Sequence, residues 1–555
     1  MALFIELRRR NVFKVALLYV VAAWVLLWLE DFASVRFGLP PWSREFLLVI
    51  LVIGLPVCLI FAWIYEFTPR GLRKAIEVDQ TQSIVYKTGQ KLNAAVFVFA
   101  VLGIVFLIFE KTLPELKLPP EQRLMGDAST VEGVPAEIRH MTLENGLKII
   151  VWPDRDIPNV VMYNFVRAGG RNEYPGITGL SHFFEHMMFS GSENLPPGEF
   201  DRRMEAAGGA NNAYTSNDVT VYQNWFPRSA LQTIFELEAD RLENLKIDPD
   251  VVTSEREVVY SERRTGIDND NNGLLFEQMY ATAYVAHPYQ FPVIGWPSDI
   301  ENWTQEDLEN FFLTYYAPNN SLMVFTGDVS AEEIFDLADD YFAPIPAQEP
   351  PMPVRTVEPE QMGTRRLHIE APAQTPLLHV AFHSGAANEP ETEALSLLLY
   401  ILATGESSRL HQSLVEQQQL AIAVGSYLHE GFDPGLTYFY LILPPDGDLA
   451  AAEAGLLEEL QAVATEGVTD AELQKAKNIV LADFWRGLAT INGKASALGN
   501  FEVFGGGYAN LFSTPDRIEQ FTPADLQAVA AKVFRRNNMT VGTLDAPPPV
   551  AEVEQ

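Results

Sequence analysis

The stretch GLSHFFEHMMFSGS places His182 and His186 four residues apart in an apolar, helix-forming run, with Glu185 one residue before the second histidine. At 3.6 residues per turn such a pair shares one helical face, so both imidazoles can reach a single cation. Glu185 falls beside that cation without being a ligand. Zinc brings the pKa of a water it holds down to about 7, and an adjacent carboxylate can then take the proton. These residue types at this spacing, the inverted His-x-x-Glu-His order, point to metal-assisted hydrolysis. The chain has nine histidines among 555 residues, and that composition produces the pattern by chance in about one chain in a hundred.

A catalytic zinc usually takes a third protein ligand. SEREVVYSERR offers Glu255, Glu257 and Glu262 on a helical run. Glu255 and Glu262 are seven apart, about two turns, so they face the same way. A Glu/Arg-rich helix is otherwise an ordinary solvated face, and it is the histidine motif upstream that singles this one out. GGANNAYTSNDVTVY reads as a polar strand, and His287 as structural.

The elements that must position these groups come as a duplicated unit. Pro114, Pro119, Pro120 and Pro135 mark one linker, and six prolines between Pro344 and Pro359 mark another. Thr304-x-x-Asp307-Leu308 recurs as Thr522-x-x-Asp525-Leu526 and Asn319-Asn320 as Asn537-Asn538, both offset by 218 residues. NFVRAGGRNE lines up with VAFHSGAANE at an offset of 216. Apolar strands such as Leu147–Val151, Val160–Val166 and Ser321–Thr326 alternate with helical runs such as Ala230–Leu245, so the expected fold is α+β with two related halves. The corresponding domain boundaries are 1–112 (membrane anchor), 113–136 (linker), 137–343 (metal-binding half), 344–362 (linker), 363–545 (second half) and 546–555 (tail). At the same offset the zinc motif falls on LLYIL, Leu398–Leu402, which has no metal-binding side chain of the kind zinc uses.

Three apolar runs precede residue 110: Val15–Leu29, Phe46–Tyr65 and Leu92–Phe109. Read as transmembrane helices, they match a hydrocarbon core of about 30 Å. Arg8, Arg9, Arg10 and Lys14 before the first run, and five basic residues between the second and third, put those segments in the cytoplasm by the positive-inside rule. The expectation is a multi-pass bacterial inner-membrane protein with its body in the periplasm. The net charge of −34 is concentrated in that body, which excludes nucleic acid as a partner. The single cysteine, Cys58, excludes an intrachain disulfide framework. ELRRRNVFKVALLYVVAAWVLL…FGLPPW…AWIYEFTPRGLRK resembles a membrane module found at the N-terminus of some bacterial signalling proteins.

Residues 137–545 resemble the pitrilysin family of inverted-zincin metallopeptidases, which includes insulin-degrading enzyme and the processing peptidases. The resemblance implies two halves closing as a clamshell around an extended peptide, with one zinc per chain. It assigns the third ligand to Glu262, 76 residues after His186, and makes Glu255 a carboxylate that orients a ligand. Asn212, Ala213 and Thr215 match the family's Asn-Ala-x-Thr strand, whose edge pairs with substrate. Active members also carry an Arg and a Tyr seven apart in the second half, in a segment like LREKRGLAYSV. Here LVEQQQLAIAV puts Val415 and Ile422 at those positions, and neither can donate a hydrogen bond. Some members are heterodimers that divide zinc and the Arg/Tyr pair between subunits, so a second pitrilysin-like subunit is the expected partner. The alternative is a non-catalytic membrane scaffold or sensor that uses the body for binding.

Overall fold

Within residues 133–547, alternating and continuous runs of β-branched and aromatic residues build two sheets. The computed structural model describes residues 133–547 without a break, strands 65–68 and 71–74, and parts of helical stretches between 12 and 56. Strands β1 (Arg139–Thr142), β2 (Lys148–Pro153), β3 (Asn159–Val166), β4 (Ala210–Thr215), β5 (Thr220–Pro227) and β6 (Ser321–Gly327) lie in the order β1-β2-β6-β3-β5-β4. Strands β7 (Arg365–Glu370), β8 (Leu377–His383), β9 (Ala423–Leu428), β10 (Leu436–Ile442) and β11 (Met539–Asp545) lie in the order β7-β11-β8-β10-β9. Without β1, the sheets correspond strand for strand. In each, one parallel pair (β2 with β6, β7 with β11) is followed by antiparallel pairs out to the edge strand.

The repeated residues prove to be the pins of this topology. Thr304 with Asp307 and Thr522 with Asp525 form capping boxes on equivalent helices, satisfying orphan N–H groups of the first turn. The Asn320 side-chain amide donates to the Arg167 and Tyr315 carbonyls. The Asn538 amide donates to the carbonyls of His383 and Val533, which stand 216 and 218 residues further on.

The halves are joined by an exchange of helices. Helix Asn271–Ala283 buries Leu275, Met279 and Ala283 against Leu377, Ala381 and Leu544 of the second sheet. Its counterpart, Ile491–Val503, buries Ala495 and Leu498 against Tyr163, Phe165 and Val324 of the first. Gly499 lets that helix approach Phe165 so closely that an added Cβ would lie 2.0 Å from the ring. A polar junction also crosses the boundary. Buried Asp218 accepts from Tyr289 Oη at 2.7 Å and the Phe432 amide at 3.3 Å, and faces Arg171 and His429, each at 3.4 Å. Asp433 pairs with Arg171 and lies 3.1 Å from His287.

The α+β architecture with two related halves is as expected, but the three transmembrane helices are not supported. Among the described residues, no helix is long and apolar enough to cross a membrane. Tyr65, which ends the second apolar run, starts a strand, Tyr65–Thr68, paired with Gly71–Lys74; Leu92–Phe109 lies outside the described residues, as does most of the stretch likened to a signalling module. An apolar run specifies removal from water, and hydropathy alone does not distinguish a bilayer from other ways of achieving it. The multi-pass inner-membrane placement, with a periplasmic body, fails with the helices it rested on.

Candidate metal centre

Helix α1 (Leu180–Met187) is short and sharply started. Gly179, its N-cap, takes φ 89°, a left-handed conformation that glycine adopts without a Cβ penalty. The buried Glu173 carboxylate accepts from the amides of Gly179 (2.6 Å) and Ser181 (2.7 Å). Burial pushes this carboxyl up to about 8, against the pull of those donors. Leu180, Phe183, Phe184 and Met187 are buried with Trp303, Phe311 and Tyr316. The remaining face presents His182, Glu185 and His186.

Helix α2 (Pro249–Arg263) lies against α1. Asp248 caps it by accepting from the Asp250 amide, with proline in the first turn. Val252 and Val259, seven apart, are buried, which turns Glu255 and Glu262 towards the histidines. Glu262 Oε2 lies 3.6 Å from His182 Nε2 and 3.5 Å from His186 Nε2, and the ligating atoms of the three residues fall within 4.8 Å of one another. Zinc bonds of about 2.0–2.1 Å in a tetrahedron set ligand atoms roughly 3.4 Å apart. Burial lowers the pKa of His182 to about 4, so its ring is neutral, as a ligand must be. Two imidazole nitrogens and a carboxylate oxygen converge here, the donor set of a catalytic zinc with three protein ligands. The residues fit the metal. Glu255 Oε2 lies 3.4 Å from His186 Nδ1, on the other side of that ring.

Glu185 accepts from the Thr215 hydroxyl at 2.5 Å, and burial raises its pKa. The three strand residues likened to a substrate edge thus have different surroundings. Thr215 holds Glu185, Ala213 packs against the cluster behind α1, and Asn212 is exposed on the opposite face of β4. Asn211, not singled out by sequence, donates to Asp201 at 2.9 Å. Within the described sheet β4 pairs only with β5, leaving its outer edge open. A cleft of about 580 Å³ runs along it, lined by Glu185, His186, Phe189, Asn212 and Glu255. On the far side of His182 a second hollow is walled by Phe276, Tyr280, Phe291 and Val293.

In the second half Leu398, Ile401 and Leu402, the counterparts of His182, Glu185 and His186, are fully buried core. Val415 packs against that core, whereas Ile422 is 54% exposed. His287 is a buried residue of the polar junction. Sequence reasoning missed Arg263 and Glu277, a buried pair beside Glu262. Its only sequence trace is an arginine in an otherwise unremarkable charged run.

Fold and site together define a metallopeptidase-type body of two related halves. Residues 158–295 match the family described as Insulinase (Peptidase family M16), and residues 302–480 match the Peptidase M16 inactive domain. The Zinc protease PqqE of Helicobacter pylori is 31% identical over 413 residues, covering 72% of this chain and 91% of that protein. The chain belongs to peptidase family M16, which bears out the pitrilysin-type body. A probable mitochondrial-processing peptidase subunit beta from Schizosaccharomyces pombe is 25% identical, covering 73% of this chain and 90% of its own. A solved protease from Helicobacter pylori superposes with a TM-score of 0.71 at 29% identity, covering 74% of this chain and 99% of that one. The first half of the periplasmic protease PqqL from Escherichia coli shares the fold, with a TM-score of 0.62 at 19% identity, covering 74% of this chain and 92% of its own.

Proposed function

We propose that this protein is a zinc metalloendopeptidase that hydrolyses extended or unfolded peptides, and that a second pitrilysin-like subunit completes its site. The observation that carries the reading is the convergence of His182, His186 and Glu262 beside a Thr215-held Glu185. The relatives' names, zinc protease among them, support the same chemistry. His182, His186 and Glu262 hold one zinc, which supplies Lewis-acid activation of water and of the scissile carbonyl. Glu185 is the general base, and the Thr215 hydroxyl fixes the orientation of its carboxylate. Glu255 orients His186 through the nitrogen that does not face Glu262. The open edge of β4 accepts an extended peptide by strand addition, so affinity comes from main-chain hydrogen bonds rather than one side chain. Neither Val415 nor Ile422 supplies an oxyanion donor, a lack that typically costs about 10²–10³ in rate.

The test uses the purified full chain, zinc-loaded, on a library of quenched unstructured peptides beside Glu185→Gln. One zinc per chain, with slow cleavage abolished in the variant, is expected. Addition of a pitrilysin-like chain that lacks His-x-x-Glu-His but has Arg and Tyr seven apart should raise the rate about 10²–10³-fold. Failure to bind zinc, or cleavage indifferent to Glu185→Gln, sinks the peptidase reading and leaves a binding body. Full-rate cleavage by the isolated chain removes the need for a partner.

A further inference from the structure

We propose that Arg263 is a positioning residue for the metal triad, holding Glu262 and helix α1 in register from the point where three elements cross. The inference rests on the zinc reading above. Arg263 ends α2, and the chain continues from it in a wider π-helical turn, Arg264–Asp268. Glu262 therefore stands where the helix changes pitch, from the α-helical to the π-helical pattern. Its side chain is 45% exposed, so neighbouring packing does little to locate it.

Arg263 anchors that turn from the buried side. Its guanidinium donates to both carboxylate oxygens of Glu277, at 2.7 and 3.1 Å, and to the Gly295 carbonyl at 2.9 Å. Asp268 lies 3.4 Å away, and the Trp296 ring covers the group at 5.9 Å. The Arg263 and Glu277 side chains are each 4% exposed, so the pair is a fixed, desolvated fork rather than a surface bridge.

Each partner leads to another part of the site. Glu277 belongs to Asn271–Ala283, the helix that covers the second sheet. Gly295 presses on Gly179, the N-cap of α1. Both glycines have positive φ, and a Cβ on either would come within 2.6 Å of the other segment's backbone. His182 lies three residues beyond Gly179. One guanidinium thus connects the turn bearing Glu262, the start of the helix bearing both histidines, and the layer contributed to the second half. A pair that served stability alone would have no reason to affect metal geometry.

The test compares the full chain with the double substitution Arg263→Met/Glu277→Met, which removes both buried charges while conserving volume. Arg263→Lys keeps the charge but not the three-way fork. Readouts are zinc affinity by chelator competition, the visible spectrum of the Co²⁺-substituted protein, and the melting temperature of the metal-free form. Expected are a zinc affinity about 10–100-fold weaker and an altered Co²⁺ spectrum in both variants, with the metal-free melting temperature of the double variant near that of the parent. Unchanged affinity and spectrum in a folded double variant overturn the proposal while leaving the metallopeptidase reading intact. A parent chain that binds no zinc overturns both.

Discussion

The two halves share a sheet order, capping boxes and a pair of asparagine pins, yet differ completely at one helix. In the first half α1 has eight residues and turns two histidines and a glutamate outward. In the second, Pro390–Ala403 has fourteen, and Leu398, Ile401 and Leu402 fill the core at the same places. The covering helices diverge in step. Counted from the N-caps Asp248 and Thr469, Glu255 corresponds to buried Ala476, and Glu262 to Asp483, which pairs with its own neighbour Arg486. A metal site therefore needs more than two ligands on one helix: the opposing helix must present its acids inward. The duplicated architecture carries the candidate site, and the local exchange of apolar residues for histidine and glutamate on two facing helices decides which half has it.

The strongest way to break the contrast is to convert the first half to the second. His182→Leu/His186→Leu should abolish stoichiometric zinc binding and reduce peptide cleavage by more than about 10⁴-fold, because Glu185 is left with no metal-activated water to deprotonate. Circular dichroism should remain that of the parent, because leucine is the residue the duplicated helix already tolerates. Retained zinc in this variant would mean that the metal lies elsewhere.

Next in size is the junction between halves. Asp218→Ala removes the acceptor shared by Tyr289, the Phe432 amide, Arg171 and His429. Breaking a buried, hydrogen-bonded ionic cluster on one side costs about 3–5 kcal/mol. Urea unfolding should register that loss, and a second transition would appear if the halves then unfold separately. A single transition at the parent's midpoint would show the junction to be dispensable beside the exchanged helices.

How much of this was legible in sequence depends on how local each feature is. Caps act within a few residues, and each asparagine pin joins a carbonyl five residues back to one 153 or 155 residues back; both demand particular side chains, so they recur in both halves and expose the duplication. The His-x-x-Glu-His spacing is equally local. The exchanged helices are not legible, because Asn271–Ala283 and Ile491–Val503 carry amphipathic faces that do not name the sheet they cover. Arg263 and Glu277 are 14 residues apart across a π turn, so no helical periodicity links them. The resemblance places Thr215 on a strand whose edge pairs with substrate; that its hydroxyl donates to Glu185 depends on a contact 30 residues away that no local pattern marks. For the N-terminal runs hydropathy reports a need for burial and not what provides it, and among the described residues no helix is long and apolar enough to cross a membrane.

The asparagine pins sharpen the comparison at a smaller scale. Asn320→Ala and Asn538→Ala each remove a side-chain donor from two backbone carbonyls, of which that of Val533 keeps the Arg535 amide at 2.8 Å. Each should cost about 1–3 kcal/mol, the penalty of a buried polar group left unpaired. The two costs should agree within about 0.5 kcal/mol if the halves are energetically as well as topologically equivalent, and their sum should be additive at this separation. Unequal costs, measured by chemical denaturation, would show that the shared bonds have acquired different weights.

The smallest effect lies where the equivalent helices begin. In the second half Glu472, in the capping box of Asp470–Gly487, accepts two bonds from the Arg409 guanidinium, which holds its carboxyl down to about 2. In the first half the corresponding start is marked by half-buried Asp248, whose carboxyl Lys246 lowers by a hydrogen bond at the surface. A depressed folded-state value stabilises the fold above the ordinary carboxylate range, and the contribution is lost as pH falls from about 4.5 through 2. Removal of Arg409 should therefore flatten the acid limb of the stability profile in that window and leave it unchanged above pH 5, apart from a constant offset. The change should be on the order of 1 kcal/mol, since both groups keep some contact with water. Lys246→Met should change the same limb less, because solvent already screens that pair. Acid unfolding of Arg409→Met and Lys246→Met at fixed ionic strength separates the two, and equal slopes would mean that Arg409 does no more for its helix than a surface lysine does for the other.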